Sequence, residues 1–193
     1  MQRRDFLITA IAAAAPAIFA GCTTTSGSGE SAATDMAQRQ SLDASVDGAL
    51  SRLYTSVKGS RELISKAQGV LVFPSVLQAG FIIGAQHGDG ALRVGGGTVG
   101  YYSTTSGSVG LTAGAQSKAI FFLFMTSDAL AQFRNSKGWT VAGDASVALV
   151  KVGANGMIDT TSATAPVEVI VMTNAGLMAD VSLAGTKVTP LKI

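Results

Sequence analysis

Arg52, Lys58, Arg61 and Lys66 place four cationic side chains within one short stretch. Set on or between two helices, such a group presents guanidinium and ammonium donors to an anionic headgroup at a membrane surface. Asp43, Asp47 and Glu62 lie among them and dilute the positive field, so a solvated helix face is the competing reading. His87 is the only histidine. A hydrolase built on it needs a serine and a carboxylate within hydrogen-bond reach, and the chain has no Gly-any-Ser-any-Gly elbow. One histidine and one cysteine leave a zinc site to carboxylates alone, and the acidic residues are scattered singly. Gly95-Gly96-Gly97-Thr98-Val99-Gly100 has the spacing of a dinucleotide loop. That loop must open a helix, whereas Tyr101-Tyr102-Ser103-Thr104 reads as strand and turn, which makes the segment a bent strand. The expectation is a protein that is not an enzyme and uses no cofactor and no metal.

The start of the chain carries a different chemistry. Arg3 and Arg4 precede an apolar run that ends in Phe19-Ala20-Gly21-Cys22. Positive charge, then apolar residues, then small ones is the order of a secretory signal. The lone cysteine directly after Ala20-Gly21 resembles a bacterial lipobox, with Phe19 where leucine is usual. That resemblance implies that the Cys22 thiol is acylated and becomes the new N-terminus, anchored in a membrane by lipid chains. Arg3-Arg4-Asp5-Phe6-Leu7 also resembles the twin-arginine export signal; an ordinary secretory signal is the alternative. Thr23 stands where an inner-membrane retention signal has Asp. The expected location is therefore the bacterial cell envelope, as an outer-membrane-anchored lipoprotein on its periplasmic or surface face.

Composition narrows the classes. Lys and Arg number 14 against 12 Asp and Glu in 193 residues, and loss of Arg3 and Arg4 brings the remainder near neutral. No nucleic-acid partner is expected from such a balance. With Cys22 acylated no disulfide can form within the chain, so stability must come from packing. No apolar run after the signal is long enough for a spanning helix. The organisation is read as a signal over 1–21, a flexible Ser-, Thr-, Gly- and Ala-rich tether over 22–36, and one domain over 37–193.

The domain begins with helices. Leu42, Val46, Ala49, Leu50, Leu53, Tyr54 and Val57 recur at three- and four-residue intervals and make one apolar stripe. Gly59 stops this helix, and Ser60 caps a second one over 61–67. Strands follow: 70–73, closed by Pro74, then 80–87 and 91–102 joined by a Gly88-Asp89-Gly90 turn. Thr105-Ser106-Gly107 reads as another turn, before strands over 108–117 and 119–126. A capped helix over 127–134 turns Ala129, Leu130 and Phe133 inward. Further strands cover 140–143, 145–152, 167–173, 177–183 and 187–191, with turns at Asn155-Gly156 and Asn174-Ala175-Gly176. Phe73, Phe81, Phe121, Phe122 and Phe124 alternate with small residues and belong to the core. The fold class is α+β, mostly β: N-terminal helices packed on a large antiparallel, barrel-like sheet.

Ala67-Gln68-Gly69-Val70-Leu71-Val72-Phe73-Pro74, then Gly80-Phe81-Ile82-Ile83-Gly84 and Gly88-Asp89-Gly90-Ala91-Leu92, resembles the SYLF domain family. Gly110-Leu111-Thr112-Ala113-Gly114-Ala115-Gln116, Ser127-Asp128-Ala129-Leu130 and Gly143-Asp144-Ala145-Ser146-Val147-Ala148 extend the resemblance. It covers roughly residues 42–183. It implies lipid binding, with anionic lipids or phosphoinositides as partners of Lys58, Arg61 and Lys66, and Arg52 as an outer member. The rival expectation is a cell-envelope structural or protein-interaction module with no small ligand. A hydrolase using His87 is a third option, and a transmembrane β-barrel is disfavoured by the lipobox.

Overall fold

Helix α1 (Ser28–Ser56) is built on the predicted stripe: Val46, Ala49 and Leu53 are fully buried, while 32–41 are exposed apart from Asp35. The computed structural model describes residues 28–80, 83–109, 116–141, 143–144, 146–150, 157–158, 165–173, 176–177, 183 and 185–193. The signal over 1–21 and Cys22 lie outside them. The segment read as a tether, 22–36, is helical over its described part, 28–36. Glu30, Ala32, Ala33 and Met36 are good helix formers, and they continue a helix already fixed further on by packing. Helix α2 (Ser60–Lys66) follows after Gly59, which holds the N-cap position at φ 85. Ser60, expected as that cap, is fully buried instead, and its hydroxyl donates to Val57 O at 2.7 Å and Leu53 O at 3.2 Å. Among the described residues no helix is long and apolar enough to cross a membrane.

The strands are β1 (Gly69–Gly80), β2 (Ile83–Val94), β3 (Gly97–Val109), β4 (Gln116–Phe124), β5 (Trp139–Thr140), β6 (Val147–Leu149), β7 (Val167–Thr173), β8 (Gly176–Leu177) and β9 (Lys187–Pro190). Helix α3 (Ser127–Asn135) lies between β4 and β5. Thr126 caps α3, its hydroxyl accepting from Ala129 N at 3.2 Å. The sheet order is β5-β9-β3-β2-β1-β4-β7-β6, with β8 beside β7. Among the described residues every strand pairing is antiparallel except β6 with β7. The sheet curls into a half-barrel, whose outermost strands β5 and β6 do not pair with each other among the described residues.

Several strand boundaries differ from those read in the sequence. Pro74 does not end β1. It sits where the register slips, between Phe73 and Val76 against β4 and between Val72 and Leu77 against β2. A bulge tolerates a residue that cannot donate to the ladder. Gly88-Asp89-Gly90 is the middle of β2 rather than a turn. A Cβ on Gly90 would lie 2.3 Å from Val72 O, so close approach of β1 requires this glycine. The turn itself is Gly95-Gly96, with φ of 59° and 86°, the left-handed pair that a two-residue hairpin loop needs. Thr105-Ser106-Gly107 lies inside β3. The segments 140–143 and 145–152 shorten to β5 and β6. Asn155-Gly156, Asn174-Ala175 and Phe81 lie outside the described residues.

Alternation along the strands makes two cores. On one face Val70, Val72, Phe121, Leu123 and Ile170 pack with Val46, Ala49 and Leu53 of α1 and Leu63 of α2. On the other, Leu71, Phe73, Phe122, Phe124 and Val169 pack with Leu130 and Phe133 of α3 and with Trp139. Trp139 stands edge-on to Phe122 and to Phe133, with ring centroids 5.5 Å apart in both pairs. Phe124 and Phe133 are 4.8 Å apart. Each fully buried ring contributes about 2–3 kcal/mol by leaving water. β4 is buried on both faces from Lys118 onward, which is why its sequence reads as one apolar run rather than an alternation.

Candidate functional site

Helix α1 rests on β1 and β2, and each of its flanks meets the sheet differently. Toward the β2–β3 hairpin, Asp43 accepts from Thr98 Oγ1 at 2.7 Å and from Tyr101 Oη at 3.0 Å. Arg93 reaches up from β2 to Asp47 at 2.8 Å and lies 3.5 Å from Asp43. Burial first, then the hydrogen bond to Asp43 and the charge of that carboxylate, raise the Tyr101 pKa above 10.0; Arg39 and Arg93 oppose the rise. Further along the same side, a cleft of about 310 Å³ opens between α1, α2 and the hairpin. Leu50, Tyr54, Ile64 and Val70 give it an apolar wall, and Gly95 and Gly96 form its rim.

The four cations singled out from the sequence are divided by this arrangement. Lys58 is exposed in the turn before α2, where its backbone pairs with that of Met157. Arg61, at the start of α2, lays its guanidinium 4.2 Å above the Tyr54 ring. Lys66, at the end of α2, pairs with Glu62 at 2.8 Å on the exposed surface. Arg52 does not join them. It stands two residues before Tyr54, on the other side of α1, and lines a cleft of about 520 Å³ with Leu42, Ser45, Pro74, Ser75 and Asp89. Gly48 forms part of that lining.

His87 is exposed on β2, its Nε2 3.7 Å from Asp89 Oδ1, beyond hydrogen-bond reach. Ser75 and Ser117 pair with each other, their Oγ atoms 3.0 Å apart. Among the described residues no three His, Cys, Asp or Glu side chains gather as metal ligands.

The sequence reading missed three sets of residues. Asp89 was hidden in the supposed turn; its Oδ1 is buried and accepts no hydrogen bond. Gly48, a glycine inside an apolar-periodic helix, was the available signal for an opening beside α1. Lys118 and Glu168 are buried charges within strands. Burial lowers the Lys118 pKa. Burial raises that of Glu168, against the pull of the Ala165 N–H, which donates to Oε1 at 3.0 Å.

Residues 105–192 match the family model described as Ysc84, Las17-binding protein actin regulator, which is the SYLF family. The resemblance read in the sequence is thus shown over that segment, from within β3 to the end of the sheet. Helices α1 and α2 and both clefts precede it. No curated protein matches the chain.

Proposed function

We propose, from the SYLF match over residues 105–192, that this chain is a membrane-anchored lipoprotein whose domain binds anionic lipid headgroups. Acylated Cys22 is the anchor in this reading, and two or more acyl chains make it stable where one would be marginal. The outer membrane of a bacterial envelope remains the proposed location. Lys58, Arg61 and Lys66 meet the headgroup, phosphoinositides included. Arg52, on the opposite flank of α1, stands outside this group.

One observation carries the assignment. Arg61 is held over the face of Tyr54, a residue that also lines the cleft between α1, α2 and the hairpin, with no carboxylate paired to it among the described residues. Stacking on an aromatic face orients a guanidinium without neutralising it, which leaves its donors for a phosphate. The wall that Leu50, Tyr54, Ile64 and Val70 give this cleft suits the glycerol and upper acyl region of a lipid.

The test is co-sedimentation of the Cys22→Ser protein, freed of residues 1–21, with neutral, simple anionic and phosphoinositide-containing vesicles. The expected result is binding that requires the anionic headgroup, weakens with salt as exposed charges are screened, and is lost in the Lys58→Glu/Arg61→Glu double variant. Undiminished binding by that variant would remove these residues from the site. Absence of binding to every vesicle would favour the rival reading, a protein-interaction module of the envelope.

A further inference from the structure

Lys118 sits on the concave side of the half-barrel. Trp139 of β5 identifies that side: its ring stands 5.5 Å from that of Phe122 of β4, five strands away in the sheet order, an approach that only curling allows. Ile120, Phe122 and Phe124 of β4 face this core, and Lys118 continues their alternation two residues earlier. It is 8% exposed. Among the described residues no hydrogen bond or ion pair holds it. Burial lowers its pKa, and among the described residues no neighbouring carboxylate offsets the fall. Its Nζ is not closed off, however. The described side-chain atoms that are both closed to solvent and unpartnered are Asp89 Oδ1, Arg93 Nε and Thr104 Oγ1. An ammonium that is mostly buried and unpaired is costly to keep, and this one is still open to an anion from outside.

The strand register sets what borders that opening. Lys118 stands opposite Val76 of β1 and Thr173 of β7. The next row inward, Ile120 with Val171, is packed core, so a ligand must approach from the row outside. There Gln116 of β4 stands opposite Gln78 of β1, and Gln78 opposite Gln86 of β2. Neighbouring strands are about 4.8 Å apart, and successive rows on one face about 6.7 Å. Three carboxamides at strand spacing therefore lie one row from the ammonium, and Ser106 of β3 extends the row beyond Gln86. Burial follows the same alternation: Gln78, Gln86 and Ser106 are half-buried, while Leu77, Ala85 and Thr105 on the convex side are exposed. None of these concave positions carries a carboxylate.

We propose that this end of the half-barrel binds a hydroxylated carboxylic acid of the sugar-acid type, its carboxylate accepting from Lys118 Nζ and its hydroxyls pairing with Gln86 and Gln116. The carboxylate supplies the charge that the fold withholds. Each carboxamide offers a donor and an acceptor together, which matches a hydroxyl that both gives and takes a hydrogen bond. A fatty acid does not suit the site, because the packed row beneath Lys118 leaves no room for its chain. An amino acid would bring an ammonium that no carboxylate in these rows receives. Helices α1 and α2 pack on the other face of the sheet, so the site is independent of Lys58, Arg61 and Lys66.

The full chain, as processed by the cell that makes it and held in neutral detergent, is titrated calorimetrically with glucuronate, galacturonate and gluconate, and with acetate and glucose as the two halves of the ligand. At least one sugar acid should bind. Acetate and glucose should each bind about tenfold more weakly or worse, because acetate forgoes the carboxamide contacts and glucose the charge-assisted one.

Lys118→Met keeps an apolar stem of similar length and removes the charge. It should abolish binding of the acid while Tm stays at or above that of the parent, since an unpaired buried charge is lost. Gln86→Ala/Gln116→Ala should weaken the sugar acid to the level of acetate and leave acetate unchanged. Lys58→Gln/Arg61→Gln should leave sugar-acid binding unchanged even if it destroys binding of anionic vesicles, so the two readings fail separately. The proposal is overturned if no sugar acid binds, if acetate or glucose binds as tightly as the sugar acids, or if either the Lys118→Met or the Gln86→Ala/Gln116→Ala protein binds like the parent.

Discussion

On the side of α1 that faces the β2–β3 hairpin, Asp43 takes hydrogen bonds from Thr98 and Tyr101, and Arg93 spans Asp43 and Asp47. On the side that faces the β1 bulge, Arg52 and Asp89 line one cleft without meeting. Helix and sheet are common to both sides, and so are the residue types. What differs is satisfaction. Among the described residues the hairpin side leaves Arg93 Nε without a partner, and its polar groups tie the helix to β2 and β3. Charges that the fold completes by itself are structural; charges that it leaves incomplete and open to solvent, as at Arg52, are available to something else.

This contrast can be broken most directly at Arg93, whose side chain is 17% exposed. Arg93→Ala strips two carboxylates of their shared cation and should cost about 2–3 kcal/mol in urea unfolding. Arg52→Ala, on the other flank, should fall within about 0.5 kcal/mol of the parent. Equal costs would erase the distinction between the flanks.

A smaller effect is expected at Tyr101. Tyr101→Phe removes one hydrogen bond to Asp43 and should cost about 1 kcal/mol near neutrality. Its pH dependence follows from the raised pKa of the folded hydroxyl. Above the unfolded value of 10.0 the unfolded chain ionises first, so the folded state holds more protons and loses stability as pH climbs. The stability difference between parent and Tyr101→Phe should therefore be constant below that value and shrink above it, which denaturant melts across the alkaline range would read. A difference that grew with pH would contradict the bonded, part-buried hydroxyl.

The smallest effect sharpens the contrast on the cleft side. Gly48→Ala should stabilise the protein by about 0.5 kcal/mol, because it removes a helix-breaking residue and its methyl enters open space. Thermal unfolding that showed a loss would mean that the cleft is tighter than its walls indicate.

Much of the fold was legible where a period was present. The spacing of Val46, Ala49 and Leu53 located α1, the cluster Ala129, Leu130 and Phe133 located α3, and 167–173 is β7 as read. Glycine and proline misled, because each has more than one physical use. Gly88 and Gly90 read as a turn in the sequence, yet their missing Cβ atoms make room for the β1 backbone. Pro74 reads as a strand end in the sequence, yet a bulge carries the chain past it. For the site, the residue types around α2 were legible, but not the side of α1 on which Arg52 falls relative to Arg61. That depends on how the helix is rolled on the sheet, which Asp43 and Arg93 fix through contacts 50 or more residues away in the chain.

Helix α1 begins at Ser28, and from residue 32 onward its first fully buried side chain is Val46. Arg39 already bonds the Ile193 carbonyl, so the span free of the domain runs from 28 to 38, a rod of about 16 Å at about 1.5 Å per residue. In the proposed anchored protein the helical part of the attachment, from residue 28 onward, is then a mast rather than a rope. A flexible tether sets only the greatest distance from the bilayer, whereas a stiff one also conveys tilt. Because the same helix forms a wall of both clefts, any lean of the mast toward the membrane would swing one cleft down as it lifts the other. Orientation would then decide whether the flank of Lys58, Arg61 and Lys66 meets the bilayer or turns away from it.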